Sequence, residues 1–366
     1  MATLQNMVEF PEKTNGLEQE SIVSEAVNNI AKNSDLDSKK VIDEVNLIIK
    51  NKLATREFKF HILTSISLRP PFPAKLIRLE GVSIRLFDFD YPKKYIGRDR
   101  VINANTTNIV DGTPSGYTKI IVSLKEKSEK GAVTSALRAL DIQRAIWSLF
   151  SNSSMEIIGD EWQPINKIRL GAAHTIHKEG GLVATEMFWY EPNFVKAKLF
   201  THSNLGIFSK NSKWAIKQID KLSYRNIVKD ALLRYVRALD ERDQNVALIK
   251  IWGALETLAA PSESNYDLVT RRASFFFSEK DYHKQVLEHL RDYRNRSVHA
   301  GDQSERAKSN CYQLQFYFYH LILFHLRSAG EFMSLEEANN YLDLPLNIDA
   351  LKNKKRLIEK AIKFIE

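Results

Sequence analysis

The residues best suited to chemistry lie in the segment RDYRNRSVHAG, which ends at Gly301. Within it, Arg294 and Asn295 are followed, after three further residues, by His299. At 100° per residue, Arg291, Asn295 and His299 share one helix face, and Arg294 is about 140° from His299 but long enough to reach round. A histidine moves protons near neutral pH, and an arginine stabilises a pentacoordinate phosphorane. The set suits cleavage of RNA by its own 2′-hydroxyl, which requires no metal.

A helical region has to position these side chains. From about Lys210 onward, apolar residues recur at helical spacing. The pattern predicts a first helix around residues 227–239, a second around 247–258, a third over 268–277 and a fourth that opens at Ser278 or Asp281 and ends at Gly301. A fifth, over 307–329, is apolar nearly all round, so it is either the core helix of a bundle or part of a subunit interface. Ser334 and Glu337 fit a capping box, and a basic helix is predicted after Asn347.

Two segments of this region resemble the HEPN superfamily of all-α domains. Arg294, Asn295 and His299 match the superfamily's ribonuclease motif of Arg, a polar residue, a short spacer and His at the end of a helix. The upstream KIWGALETLAA, with its Leu255–Glu256 pair, is similar to the second helix of the ApeA-type HEPN group. The resemblance covers residues 223–329, about a third of the chain.

The resemblance implies a metal-independent endoribonuclease acting on RNA, tRNA among the candidates, as a homodimer whose two motifs face one cleft. It also implies a setting in antiviral defence, abortive infection or a toxin system, with an antitoxin or a phage-derived trigger as a further partner. The rival is a non-catalytic HEPN-like module that binds RNA, a nucleotide or a protein partner. A third reading makes the bundle a dimerisation scaffold. Arg294 and His299 could also be ordinary surface residues, one in a salt bridge and the other at a helix C-terminus.

Residues near the motif and in the basic last helix are expected to support the reaction, by orienting the motif residues or by binding RNA. Arg291 shares the face of Asn295, and Glu256 is either a residue that orients Arg or His or a solvated carboxylate. Contacts with RNA phosphates are expected from cationic side chains. They are Arg296, Lys352, Lys354, Lys355 and Arg356.

The first half of the chain has a different pattern of apolar and polar residues. Alternating apolar and polar residues predict strands in 58–68, 74–90 and 118–127, and again in 165–177, 182–191 and 195–202, with a helix at 131–150 between the two groups. We therefore predict an α+β fold in which a strand-rich N-terminal region with flanking helices precedes a C-terminal all-α HEPN-like bundle. The predicted domains are an acidic helical segment at 1–52, an α+β sensing or substrate-selecting domain at 53–210 and the helical domain at 211–366.

The composition and charge of the chain narrow the kinds of partner, cofactor and cellular compartment to be expected. The chain has 366 residues and a net charge of +8, yet residues 1–48 hold 9 acidic and 4 basic residues. The remainder is strongly basic, which favours a polyanionic partner. One cysteine, Cys311, excludes an internal disulfide, and neither a secretory signal nor a bilayer-spanning run is evident. We expect a cytoplasmic protein without membrane contact, cofactor or metal. His174 and His177 have a metal-like spacing, but on a strand without a third ligand.

Overall fold

The computed structural model describes residues 7–11, 14, 19–32, 37–105, 114–152, 163–191, 194–261, 266–300 and 306–366. The chain divides into two compact units. The sheet unit comprises Met1–Ile66, Ala74–Leu140 and Leu170–Pro192, and the helical unit comprises Ser67–Pro73, Asp141–Arg169 and Asn193–Glu366. The three-domain division predicted from the sequence stays a prediction.

The sheet unit begins with two helices, α1 (Gln19–Ala31) and α2 (Ser38–Ala54). Their apolar faces form a core cluster of their own, to which Ile22, Val45 and Ile49 belong. Asp37 caps α2 by accepting a hydrogen bond from the Lys40 amide. The N-terminal segment predicted to be helical therefore contains these two helices.

One antiparallel sheet forms the core of the sheet unit. Its six strands lie in the order β2-β3-β4-β1-β5-β6. Glu80 and Gly81 join β2 to β3 as a two-residue hairpin turn, with φ of 53° and 75°. The strands are β1 (Phe58–Ile66), β2 (Leu76–Leu79), β3 (Val82–Phe87), β4 (Thr118–Glu126), β5 (Ala173–Lys178) and β6 (Trp189–Tyr190), and α3 (Gly97–Asn105) lies between β3 and β4 in the chain.

The later strand predictions were too long. Of residues 165–177 only Ala173 onward belongs to a strand, and of residues 182–191 only Trp189–Tyr190 does. Residues 195–202 form no strand and contribute one isolated bridge, between Phe200 and Leu68. Apolar and polar residues do alternate in these segments. Their backbones, however, form hydrogen bonds with single residues such as Ser67 and not with a continuous neighbouring strand.

Nine helices of the described chain follow β4, the first of which is α4 (Glu129–Ser151). The others are α5 (Leu205–Lys221), α6 (Arg225–Leu239), α7 (Gln244–Ala259), α8 (Tyr266–Ala273), α9 (Lys280–Ala300), α10 (Ala307–Arg327), α11 (Leu335–Leu342) and α12 (Ile348–Ile365). The predicted α+β class, with a strand-rich part followed by a helical part, is confirmed. No described helix combines the length and the hydrophobicity that crossing a bilayer requires.

Helix α10 is the core helix of the helical unit. Leu314, Phe318, Leu321 and Ile322 have no exposed surface, and Tyr235 of α6 stacks on Phe318 with ring centroids 4.4 Å apart. Of the two readings left open by its all-round apolar sequence, the bundle core is therefore the one observed.

Candidate functional site

Helix α9 carries the predicted motif and is anchored on its inner face. Leu287 and Leu290 are fully buried, each stabilising the fold by about 1.5–3 kcal/mol relative to exposure. Tyr293 is buried too, and its hydroxyl donates a hydrogen bond to the side-chain carbonyl of Asn245 in the first turn of α7. These contacts fix the rotation of α9, and hence the direction in which its neighbouring residues point.

Arg294 and Asn295 form the described part of the motif. Both side chains are half-buried, and Arg294 Nη1 donates a hydrogen bond of 3.1 Å to Asn295 Oδ1. The amide thus holds one end of the guanidinium group, which makes the cation a fixed one. His299 lies in the last turn of α9, one turn beyond Asn295, and its side chain falls outside the described residues, as does Gly301.

The two supporting residues make other contacts. Arg291 Nη1 lies 2.5 Å from a carboxylate oxygen of Asp267, and its Nε lies 3.5 Å from Asp292. Glu256 is half-buried on α7 and accepts a 2.6 Å hydrogen bond from the indole nitrogen of Trp252. The structure thus brings Arg291 to acidic partners and Glu256 to a tryptophan of its own helix.

The residues predicted to contact RNA are exposed. Arg296 lies on the outer face of α9, and α12 has no buried residue. Within α12, Arg356 donates to Asn353 at 2.7 Å, and Lys355 lies 3.9 Å from Glu359. Lys352 and Lys354 are exposed on the same helix. The cations of α12 therefore lie on a separate element from the motif, whereas Arg296 lies on the motif's own helix.

The histidine pair of β5 belongs to a buried polar network. The Nδ1 atom of His174 lies 2.7 Å from Thr64 Oγ1, and its Nε2 lies 3.0 Å from Glu191 Oε1. His177 lies 3.0 Å from the Gly181 carbonyl oxygen. A Thr–His–Glu order could activate a nucleophile, but Thr64 has no exposed surface. The network therefore holds β1 to β5, and no pattern in the sequence marked Glu191 as a member of it.

The part of the chain that the structure describes contains no group of three His, Cys, Asp or Glu side chains arranged to hold a metal ion. His325 of α10 is fully buried beside the Tyr224 hydroxyl, 3.1 Å from its Nδ1, and burial lowers its pKa to about 3. It is a packed histidine. Burial is also the main reason that the pKa of His320 is lowered.

Sequence reasoning missed two cavities in the helical unit. One has a volume of about 590 Å³ and the other about 340 Å³, and Tyr312 of α10 lines both. The lining residues come from segments that are far apart in the chain, which is why no motif marked them. Neither Arg294 nor Asn295, the described residues of the motif, is among the lining residues of these cavities.

Comparison with known proteins finds no matching family model, no significantly similar curated protein and no significantly similar solved structure.

Proposed function

We propose that this protein is a metal-independent endoribonuclease whose catalytic residues are Arg294, Asn295 and His299. The observation that carries the proposal is the fixed guanidinium group of Arg294, half-buried and hydrogen-bonded to Asn295 on the helix that also holds His299 one turn later. Support also comes from the order of helices before the motif and from the HEPN-like sequence around Trp252 and Glu256.

The proposed reaction starts with attack of an RNA 2′-hydroxyl on its own phosphate. His299 removes or returns the proton, and Arg294 stabilises the charge that develops on the phosphorane oxygens. Asn295 keeps Arg294 in place. The products are a 2′,3′-cyclic phosphate and a 5′-hydroxyl, so the atoms balance without water or metal in the cleavage step.

The proposal includes a cytoplasmic homodimer in which two motifs share one basic cleft. Its setting would be antiviral defence, abortive infection or a toxin system, controlled by an antitoxin or a phage-derived trigger. In this assembly Arg296 and the cations of α12 would bind RNA outside the reacting phosphate. Arg291 and Glu256 would act only through the packing of α8 and α7.

The test compares cleavage of total RNA and tRNA in EDTA by the unchanged protein and by R294A and H299A. We expect each substitution to lower the rate by about 10² or more, with a nearly unchanged melting temperature. The matched controls are H289A, an exposed histidine of α9, and R234A, an exposed arginine of α6.

Equal cleavage by all five proteins would remove the proposal. Unfolding of R294A and H299A, with both controls folded, would assign the motif a structural role.

A further inference from the structure

The larger cavity of the helical unit is lined by cations. Lys167, Arg169, Lys196, Lys198 and Lys308 all contribute, and no Asp or Glu is found among the described lining residues. Lys308 is half-buried, and neither Lys308 nor Lys198 has an ion-pair partner in the described chain. Lys198 and Lys308 thus add positive charge to a concave surface, which favours the binding of an anion there.

The wall of this cavity is built before any ligand arrives. The Ser67 amide donates to the Arg169 carbonyl at 3.0 Å, and the Ser67 hydroxyl donates to the Lys167 carbonyl at 3.0 Å. The Phe200 amide donates to the Ser67 carbonyl at 2.7 Å, and Arg169 Nη1 donates to the Val195 carbonyl at 3.2 Å. One buried serine therefore ties two basic segments together, which lowers the entropic cost of binding.

The N-terminus of α10 adds to the positive potential. This helix has 21 residues and begins at Ala307, with Lys308 in its first turn. Arg306, at the N-cap position, makes no side-chain capping hydrogen bond. The first amide groups of a helix carry partial positive charge and bind phosphates well.

The second cavity shares Tyr312 with the first and has a different character. Aromatic rings line it, from Phe150, Phe316, Tyr319 and His320. Stacking on such rings binds nucleobases without strong sequence preference. The two volumes, about 590 and 340 Å³, both lie within the range of small-ligand sites, roughly 300–1,000 Å³.

A buried amide beside the second cavity lacks a partner. The Lys167 amide donates to Asn152 Oδ1 at 3.2 Å, which turns Asn152 Nδ2 toward Gln315 Oε1, 2.7 Å away. Tyr235 donates to the same oxygen at 3.2 Å. Gln315 Nε2 therefore faces away from the two donors, Asn152 and Tyr235. It has no hydrogen-bond partner among the described residues, and only 5% of Gln315 is exposed. Buried donors are rarely left unpaired, so a ligand acceptor is its natural partner.

We infer that the two cavities form one nucleotide-binding site, in which the cations hold the phosphate and the aromatic cavity holds the base. The nucleotide is either a free one or a unit of a nucleic-acid strand, since both offer the same phosphate and base. The site is separate from Arg294 and His299 and does not depend on the proposed cleavage.

The experiment measures binding to the full-length protein by isothermal titration calorimetry. The probes are ATP, GTP, CTP and UTP, a single-stranded DNA decamer, which has no 2′-hydroxyl to be cleaved, and pyrophosphate. The test variants are K198A/K308A for the phosphate half and F316A for the base half, since Phe316 lines only the second cavity. The matched control is K213A/K217A, which removes two exposed lysines of α5 outside both cavities.

We expect saturable binding of a nucleotide or of the decamer, weakened about tenfold or more by K198A/K308A and less than about twofold by the control. F316A should weaken binding of the nucleotide and leave binding of pyrophosphate unaffected. Binding of the decamer alone, with the same variant pattern, identifies a strand as the source. Absence of binding by every probe, or equal affinity of K198A/K308A and the control, would overturn the site. If pyrophosphate bound as tightly as the nucleotides, the inference that the aromatic cavity holds the base would be wrong.

Discussion

Arg294 differs from the other arginines of α9 in what holds it. Arg291 is paired with Asp267 and Arg296 is exposed, whereas Arg294 is half-buried with an amide of the same helix on its Nη1 atom. Arginine stays protonated in proteins, so the guanidinium group of Arg294, oriented by Asn295, offers its positive charge to a bound phosphate. This is the residue-level reason for placing Arg294 at the reacting phosphate.

His325 provides a prediction about stability. Burial lowers its pKa to about 3, against about 6.5 in an unfolded chain. Below pH 6.5 the unfolded chain binds a proton that the folded chain does not, so its contribution to stability is complete above pH 6.5 and is lost as the pH falls toward 3. Between pH 7 and pH 5 we expect the free energy of unfolding to fall by about 1–2 kcal/mol from this group.

The measurement is urea unfolding at both pH values, on the unchanged protein and on H325Q. His61, whose pKa is lowered to about 4 mainly by burial, remains in both proteins, so the difference isolates His325. An equal loss of stability in the two proteins would show that His325 is protonated in the fold.

At the scale of elements, local signals predicted the helical region well. The Ser334 hydroxyl accepts a hydrogen bond from the Glu337 amide at 3.1 Å, as the capping-box pattern indicated. The predicted opening of α9 at Ser278 or Asp281 lies within two residues of its first residue, Lys280. Caps and helical periodicity involve residues four or fewer positions apart, so the sequence itself contains them.

Features that depend on distant residues could not be predicted. Lys196 and Lys198 alternate with apolar residues as in a strand, but their segment forms no strand and meets Ser67, far away in the chain, through the backbone of Phe200. Glu191 meets His174 only because β5 and the segment after β6 come together. The same holds for the candidate site: the order Arg294, Asn295, His299 is visible in the sequence, while the hydrogen bond between the first two, and the partners of Arg291 and Glu256, are not.

Helix α12 is exposed on all sides and supplies a prediction about RNA affinity. Lys352, Lys354, Lys355 and Arg356 lie together on it. Replacing these four by glutamine should weaken RNA binding and reduce the slope of log K against log salt by about 2–3, because fewer counterions are released. Binding is measured on the H299A protein, so that the RNA stays intact.

The matched control replaces the four exposed lysines of α5 with glutamine, which changes the net charge equally. They are Lys210, Lys213, Lys217 and Lys221. If both quadruple variants change the slope equally, α12 contributes only general charge and the predicted contacts are wrong.

At the scale of the whole molecule, the proposed shared cleft predicts a homodimer. Light scattering at micromolar concentration should give twice the chain mass of 42.1 kDa. The cleavage rate per chain should fall when dilution separates the dimer, since each half alone has only one motif. A monomer that cleaves RNA at a concentration-independent rate per chain would contradict the shared cleft.

The acidic N-terminal segment supplies a prediction about regulation. Residues 1–48 hold 9 acidic and 4 basic residues, and the remaining chain is basic, so we expect this segment to compete with RNA phosphates in a salt-dependent way. Deleting it should raise RNA cleavage at low ionic strength and increase toxicity on expression. Because α1 and α2 share a core cluster and residue 48 lies within α2, the folding of the deletion variant is checked by circular dichroism.

A second variant keeps the helices and changes only charge: E20Q, E25Q and D43N, all exposed. It should raise cleavage in the same direction as the deletion, by a smaller factor, and the gain should vanish at high salt. Unchanged cleavage by both folded variants would leave a trigger or a separate antitoxin as the means of control.

The most direct test of the central claim is the chemical identity of the cleaved RNA end. The purified protein is incubated in EDTA with a synthetic RNA, and the products are analysed by mass spectrometry beside the H299A protein. We predict a 2′,3′-cyclic phosphate and a 5′-hydroxyl, formed by the unchanged protein and strongly reduced with H299A. A 5′-phosphate product, or cleavage that appears only when Mg²⁺ or Mn²⁺ is added, would contradict the account.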